Sequence, residues 1–392
     1  MERLKQLRRA RGLSLDALAE RMEGIVTKQA LSKYETGKAN PTPRVVMALA
    51  KALEVSPTDM IGAPEVGVEF IAYRKGAGLR KKQQAQVESL IERVLEERIR
   101  LQEMTGQIDA FALPVRDIAI TSVADAERAA DELRALWGLA DGPIADMTAL
   151  LEDHLIHVVE IDADEKFDGI SAVIHALGGK AQGAGIVTRR GLPGERQRMN
   201  LAHELGHLVL KLGDEVDEEK AAFRFAGAFL LPAEALYREV GRKRGFVQGE
   251  ELLMLKLKYG VSVQALLYRL QALGIIGTGH YKQWCIAINA QGYRKSEPHE
   301  LPSEQPQWLR RTVLRGLAEG LMTKEKAERL LGEPVASDAR TTHLPIRRTL
   351  MRSSASERRR ALREQAEAIA TVSSEAGETT GETRTRRRRT EP

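Results

Sequence analysis

The segment His203-Glu204-Leu205-Gly206-His207 sets two imidazoles four residues apart with a carboxylate between them. On a helix this spacing puts both histidines on one face, where their ring nitrogens can converge on one metal ion. Glu204, about 100° round the helix from His203, can reach a water activated by the ion instead of the ion itself. The chemistry implied is metal-assisted hydrolysis. Zinc polarises a scissile carbonyl and acidifies a water, and the glutamate takes the proton and later delivers it to the leaving amine. The alternative is two satisfied histidines on a buried helix.

A catalytic zinc site needs a third protein ligand and an open fourth position. The acidic residues just downstream, Asp214, Glu215, Asp217, Glu218 and Glu219, are all candidates. His154, His157 and His175 lie near strand-like text and could line a cleft, although a lone histidine is more often structural. His280, His299 and His343 have no motif around them.

The elements that must position these residues are legible as patterns. A helix is expected from about Glu195 to Leu212, between Pro193-Gly194 and Gly213. A second, Lys220–Leu231, follows the acidic cluster. Upstream, Ile156–Ile161, Gly169–Ile174 and Gly185–Thr188 are short, β-rich and separated by Gly-rich turns. Helices at Ala124–Trp137 and from Pro143 through Leu151 precede them, so this region reads as α+β, a small sheet packed on helices. Residues 248–273 hold two further helical patterns and 304–332 a small helical unit. A long amphipathic helix spans 79–104, with Val87, Leu90, Ile91, Val94, Leu95 and Ile99 on one face. It serves either dimer formation or as a lid on the next domain.

The first sixty residues read as five short helices with clear stops. Ser14, Thr27 and Thr42 sit where side-chain oxygens can cap helix starts, Pro43 and Pro57 at first helical positions, and Gly12 and Gly37 after helix ends. The third helix turns Leu31 and Tyr34 inward. Thr27, Lys28, Gln29, Ser32 and Lys33 project outward, the residue types that contact base edges and phosphates. The alternative for this bundle is protein contact.

Two resemblances follow from quoted motifs. Ser14-Leu15-Asp16-Ala17-Leu18-Ala19 and Ser32-Lys33-Tyr34-Glu35-Thr36-Gly37 resemble the Xre/Cro-type repressor domains. That resemblance implies double-stranded DNA as partner and an internal ion pair of Arg8 with Glu35. The chain departs from it at Leu15, often a phosphate-binding glutamine, and in a longer turn, Glu23–Val26. The second resemblance covers much of 125–240. Trp137-Gly138-Leu139, Leu150-Leu151-Glu152, Phe167-Asp168-Gly169-Ile170, Leu201–His207 and Phe225–Pro232 resemble the ImmA/IrrE family of zinc metallopeptidases. It implies a zincin-like fold, Zn²⁺ as cofactor, and a third ligand thirteen residues before Pro232, which is Glu219. Glu219 also opens the helix that buries Phe225 and Phe229, with Glu218 its only close rival. Four residues after the ligand the family usually has Asp or Asn, supporting a zinc-bound histidine. Here that position is Phe223.

Composition bounds the rest. The chain has 392 residues, 43% hydrophobic and 29% charged, which suits a folded protein of several domains. The lone Cys285 excludes an internal disulfide or a cysteine metal cluster, and no run suits a membrane span. A charged start without a signal peptide points to the cytoplasm. Residues 1–60 carry 11 Lys/Arg against 7 Asp/Glu and 336–392 carry 13 against 8, around a slightly acidic body. Basic ends suit an acidic polymer or merely aid solubility; charge alone does not separate these.

The expected organisation is multidomain. An all-α helix-turn-helix bundle (1–62) is followed by a linker with the long helix (63–123) and an α+β metallopeptidase domain (124–275). A helical C-terminal region (276–335) precedes a basic, largely disordered tail (336–392). The expected function is a DNA-binding transcriptional regulator carrying a zinc-dependent endopeptidase. Its site is Glu204 as base, with His203, His207 and Glu219 on the metal, and it acts on a repressor or on itself. A homodimer would match two operator half-sites. The alternatives are a non-enzymatic regulator or antitoxin that only binds metal or a partner, and a peptidase whose bundle recruits protein.

Overall fold

The computed structural model describes residues 2–335, apart from 56, 58–59, 61–65, 73–80, 108–110, 112, 114–118, 164–166, 168, 177–178 and 295. The expected tail, with Arg358–Arg360 and Arg386–Arg389, therefore lies outside the described residues, as do Asp168, Leu79 and His343.

Four helices open the chain: α1 (Glu2–Ala10), α2 (Leu15–Arg21), α3 (Lys28–Glu35) and α4 (Pro43–Ala52). Each expected cap is made. Ser14, Thr27 and Thr42 accept from the backbone N–H of Ala17, Ala30 and Val45 at 3.0, 3.3 and 3.4 Å. Such a cap contributes about 1 kcal/mol by satisfying an otherwise orphaned donor. Leu4, Leu7, Leu18, Leu31, Leu49 and Leu53 form the small core. Of the fifth expected helix, Pro57 and Met60 are described, both helical, with Met60 buried. Arg8 and Glu35 pair through two parallel bonds of 2.6 and 2.9 Å, as the helix-turn-helix resemblance implies.

The body is a mixed α/β unit. Strand β1 (Val66–Ala72) falls in the stretch expected to be linker, where Val66, Val68 and Phe70 alternate as a strand requires. It precedes α5 (Lys81–Met104). Short β2 (Ala119–Ile120) and helices α6 (Asp125–Leu136) and α7 (Met147–Asp153) come next. Then come β3 (Ile156–Ile161), β4 (Gly169–Ala176), β5 (Ala181–Arg189) and α8 (Gly194–Val209). The four longer strands form one sheet in the order β1-β4-β5-β3, antiparallel except for β3 beside β5. After α8, β6 (Lys211–Leu212) pairs in parallel with β2. The helices α9 (Glu218–Leu230), α10 (Ala233–Glu239), α11 (Gly249–Tyr259), α12 (Val263–Ala272), α13 (Thr278–Ala290), α14 (Trp308–Ala318) and α15 (Lys324–Leu331) complete the described chain.

Several sequence-based boundaries move. Strand β5 begins at Ala181, four residues before the expected Gly185, and α9 begins at Glu218 and not Lys220. The helix expected from Pro143 begins at Met147, because Asp146 accepts from Ala149 N–H at 2.7 Å and so caps it there. The metal-motif helix ends at Val209, not Leu212, because Leu210 turns extended and feeds the β2–β6 pairing.

Helix α5 joins the two parts. Ile91, Leu95 and Ile99 pack on the sheet with Ile170, Ala172, Ile174 and Val187. Each such side chain contributes about 1.5–3 kcal/mol on full burial. Another face carries the helical bundle, through a buried Arg3–Glu96 ion pair and a Gln6–Glu92 hydrogen bond of 2.9 Å. Helix α8 covers the opposite face of the sheet from α5, since β-strand side chains alternate and Gly169 faces Glu204 while Ile170 faces α5.

Candidate metal centre

Helix α8 is fixed along its length by buried polar contacts. Arg198 pairs with Glu304 at 2.5 Å and donates to the Ile144 carbonyl at 2.7 Å, and Glu195 pairs with the buried Lys256 at 2.6 Å. One turn further on, His203 and His207 are buried at 3% and 5% exposure. Their Nε2 atoms lie 3.1 Å apart.

The third group arrives on α9, whose start is capped by Asp217 accepting from Lys220 N–H at 3.0 Å. This makes Glu218 and Glu219 the first two helical residues. Glu219 sends Oε2 to 3.5 Å from His203 Nε2 and Oε1 to 3.7 Å from His207 Nε2. The close approach of α9 to α8 depends on Gly206. A Cβ there would stand 3.2 Å from Ala222 Cα and from Phe225 Cδ1.

His203, His207 and Glu219 thus present three ligand atoms within 4.8 Å of one another, a group that could hold a metal ion. Zinc bonds near 2.1 Å set tetrahedral ligand atoms about 3.4 Å apart. The 3.1 Å between the two Nε2 atoms is close to that value, and each of them has a different Glu219 oxygen within 3.7 Å. Two imidazoles and one carboxylate are also the donor set of open, hydrolytic zinc sites.

Glu218 does something different. Its Oε1 is 3.1 Å from His207 Nδ1, on the ring edge away from Glu219. A neutral imidazole donating Nδ1–H there keeps its Nε2 lone pair for the metal. The peptidase resemblance places a polar side chain four residues after Glu219; here the carboxylate against a histidine ring is that of Glu218, the residue before it. Phe223 instead lays its ring 4.2 Å from that of His203. The peptidase resemblance pointed to Glu219 by its distance from Pro232; the contact of Glu218 with His207 had no signal in the sequence, and it depends on which way each side chain leaves the first turn of α9.

Glu204 is buried at 3% exposure and its carboxyl packs on β4, where a Cβ at Gly169 would be 2.9 Å from Oε1. Gly169 was legible within Phe167-Asp168-Gly169-Ile170, though not its purpose, which is room for this carboxyl. The remaining histidines stay apart. His154 stacks on Trp137 at 4.0 Å. His175 pairs with Glu69 at 3.0 Å, six residues and about 20 Å along β4 from Gly169. His157 points to the α5 side, bonded to Gln102 at 2.6 Å and edge-on to Trp308. None of the three joins the cluster.

Burial, aided by the Arg98 charge, pushes His157 far below its ordinary pKa. The folded state then holds fewer protons than the unfolded chain. Stability from this residue is full above about pH 6.5 and is lost as pH falls below it. Urea unfolding at pH 7.5 and 5 should show a larger acid loss for the wild type than for His157→Gln. Equal losses would remove His157 as a source of acid sensitivity.

On α3, Thr27, Lys28, Gln29, Ser32 and Lys33 are all exposed, while Leu31 is fully buried. Lys28 pairs with Asp16 at 2.7 Å across the turn between α2 and α3. That turn takes positive φ at Glu23 and Gly24, which accommodates its extra length.

Helix-turn-helix proteins and metallopeptidase-like domains are the two classes these features define. Residues 4–60 match the Helix-turn-helix family model, and residues 152–271 match the IrrE N-terminal-like domain of the M78 peptidases. The chain carries an N-terminal helix-turn-helix domain, which implies DNA binding, and a metallopeptidase-like domain with a His-His-Glu group. Comparison with curated proteins returned no match. Among the described residues no helix is long and apolar enough to cross a membrane.

Proposed function

We propose that the protein is a DNA-binding transcriptional regulator whose zinc-dependent endopeptidase domain hydrolyses a protein target, a repressor or the chain itself. The observation that carries this reading is the convergence of His203, His207 and Glu219 beside Glu204. His203, His207 and Glu219 hold the ion, and bound zinc would supply Lewis-acid polarisation of the scissile carbonyl. Glu218 holds the His207 ring in its tautomer. Glu204 takes the proton of the attacking water and returns it to the leaving amine. Its burial against β4 fixes the carboxyl and excludes competing solvent. Glu219 and Phe223 are half-exposed, so the site opens to a polypeptide.

Thr27, Lys28, Gln29, Ser32 and Lys33 form the face that reads double-stranded DNA, and two copies of the chain on two half-sites are the expected arrangement. Helix α5, shared by both domains, makes bundle and peptidase one mechanical unit.

Two measurements test the two halves. Chelation should abolish cleavage of the target, with Zn²⁺ restoring it; cleavage that persists in chelator rejects the metallopeptidase half. Reversing charge at both Lys28 and Lys33 should weaken DNA binding and flatten its salt dependence by about two phosphate contacts. Folding should be unaffected, because both side chains face solvent. Unchanged affinity in the double variant would reject α3 as the reading helix.

A further inference from the structure

An apolar groove of about 750 Å³ lies beside the metal centre, between α9 and α12. Its walls include Met199, Phe223, Gly227, Ala265, Tyr268 and Ala272. Two residues link the groove to the centre. Met199 is one helical turn before His203 on the same face of α8, and Phe223 is four residues after Glu219 on α9. The Phe223 ring touches both, lying 4.2 Å from the His203 ring while forming part of the groove wall.

The charged groups at the groove are engaged in ion pairs. Arg224 and Arg269, which reach its floor, are both committed to ion pairs with Glu127. Arg269 also donates to the Leu231 carbonyl at 3.0 Å. Lys220, at the rim, pairs with Asp217 at 2.8 Å. What stays open is aromatic and aliphatic surface, with Tyr268 and Phe223 exposed at 57% and 48%. Burying apolar side chains there is favourable at about 25 cal/mol per Å².

We propose that this groove receives a bulky apolar side chain of the substrate polypeptide next to the bond to be hydrolysed, so that cleavage selects Phe, Tyr, Leu or Met at that position. The proposal rests on the peptidase reading and names its substrate class. It also gives Phe223 a role: the aromatic that stands at a usually polar position builds the groove wall, while Glu218 supplies the carboxylate support.

The test has a binding arm and a cleavage arm. For binding, the full-length Glu204→Gln protein, supplied with Zn²⁺ and labelled with ¹³C-methyl methionine, is titrated with N-acetyl-Phe-Leu-amide and with N-acetyl-Asp-Ser-amide. Met199→Leu assigns the reporting methyl. The Phe peptide should shift the Met199 methyl saturably and bind at least tenfold tighter than the Asp peptide. Ala265→Trp, which fills the groove, should weaken it at least tenfold. Tyr268→Ser, at an exposed position that folding tolerates, should weaken it severalfold. Equal binding of the two peptides, or unchanged binding in both variants, overturns the proposal. So does a Met199 shift that tracks protein concentration without peptide, which would make a second copy the occupant. For cleavage, the zinc-loaded wild type acts on a mixed peptide library, and the cut sites should be enriched in large apolar residues on one side. Binding without any cleavage keeps the groove and removes the peptidase reading. Cleavage without side-chain preference or selective binding removes the groove and keeps the peptidase.

Discussion

Glu204→Gln is expected to retain zinc and lose hydrolysis by about 10²–10⁴-fold, the usual contribution of a positioned general base. The substitution changes almost no volume, so the packing against Gly169 on β4 survives. Neither His203, His207 nor Glu219 moves with it, because each is held by other contacts on α8 and α9. What disappears is the ability to accept a proton, since an amide is not basic near neutral pH. Zinc measured by mass spectrometry on the purified variant should equal the wild-type content. Cleavage of a peptide library or of the chain itself, followed by mass, should be reduced to the chelator-treated level. A variant that cuts within twofold of wild type would show that Glu204 does not carry the proton.

The second large effect is at the third ligand. Glu219→Ala should lower zinc affinity by at least an order of magnitude, because it removes both the only anionic donor of the cluster and one of three ligands. Glu218→Ala should cost less, acting only through the orientation of His207, although outer carboxylates of this kind are worth about tenfold in affinity. Competition against a chromophoric chelator measures both on the full chain. The opposite order, with Glu218→Ala losing the metal and Glu219→Ala keeping it, would move the ligand by one residue. If neither substitution matters, the three-ligand site is wrong. The geometry favours Glu219, whose two oxygens face the two Nε2 atoms at 3.5 and 3.7 Å, whereas Glu218 meets His207 on its Nδ1 edge.

Much of this protein is written in local spacing. Ser14, Thr27, Thr42 and Thr323 cap the helices they precede. The His203–His207 spacing sets both rings on one helical face, and the apolar stripe of 81–104 makes one long helix. These features depend on residues three or four apart, so the chain declares them before it folds. The helix α10 was not legible, and α13 only as part of a helical region, because neither has a clean apolar stripe; Ile286 of α13 is even exposed. Strand β1 has an alternation of its own, but its place is set by pairing with β4, a hundred residues later, with Val66 opposite Ala176. Tertiary structure alone put His157 on the α5 side of the sheet and Glu204 on the α8 side. It alone ended α8 at Val209, where pairing with β2 offers better bonds than another helical turn. The place of Glu218 is of the same kind. The peptidase resemblance already pointed to Glu219 as the ligand, and only the approach of α9 over Gly206 brings Glu218 to the Nδ1 edge of His207.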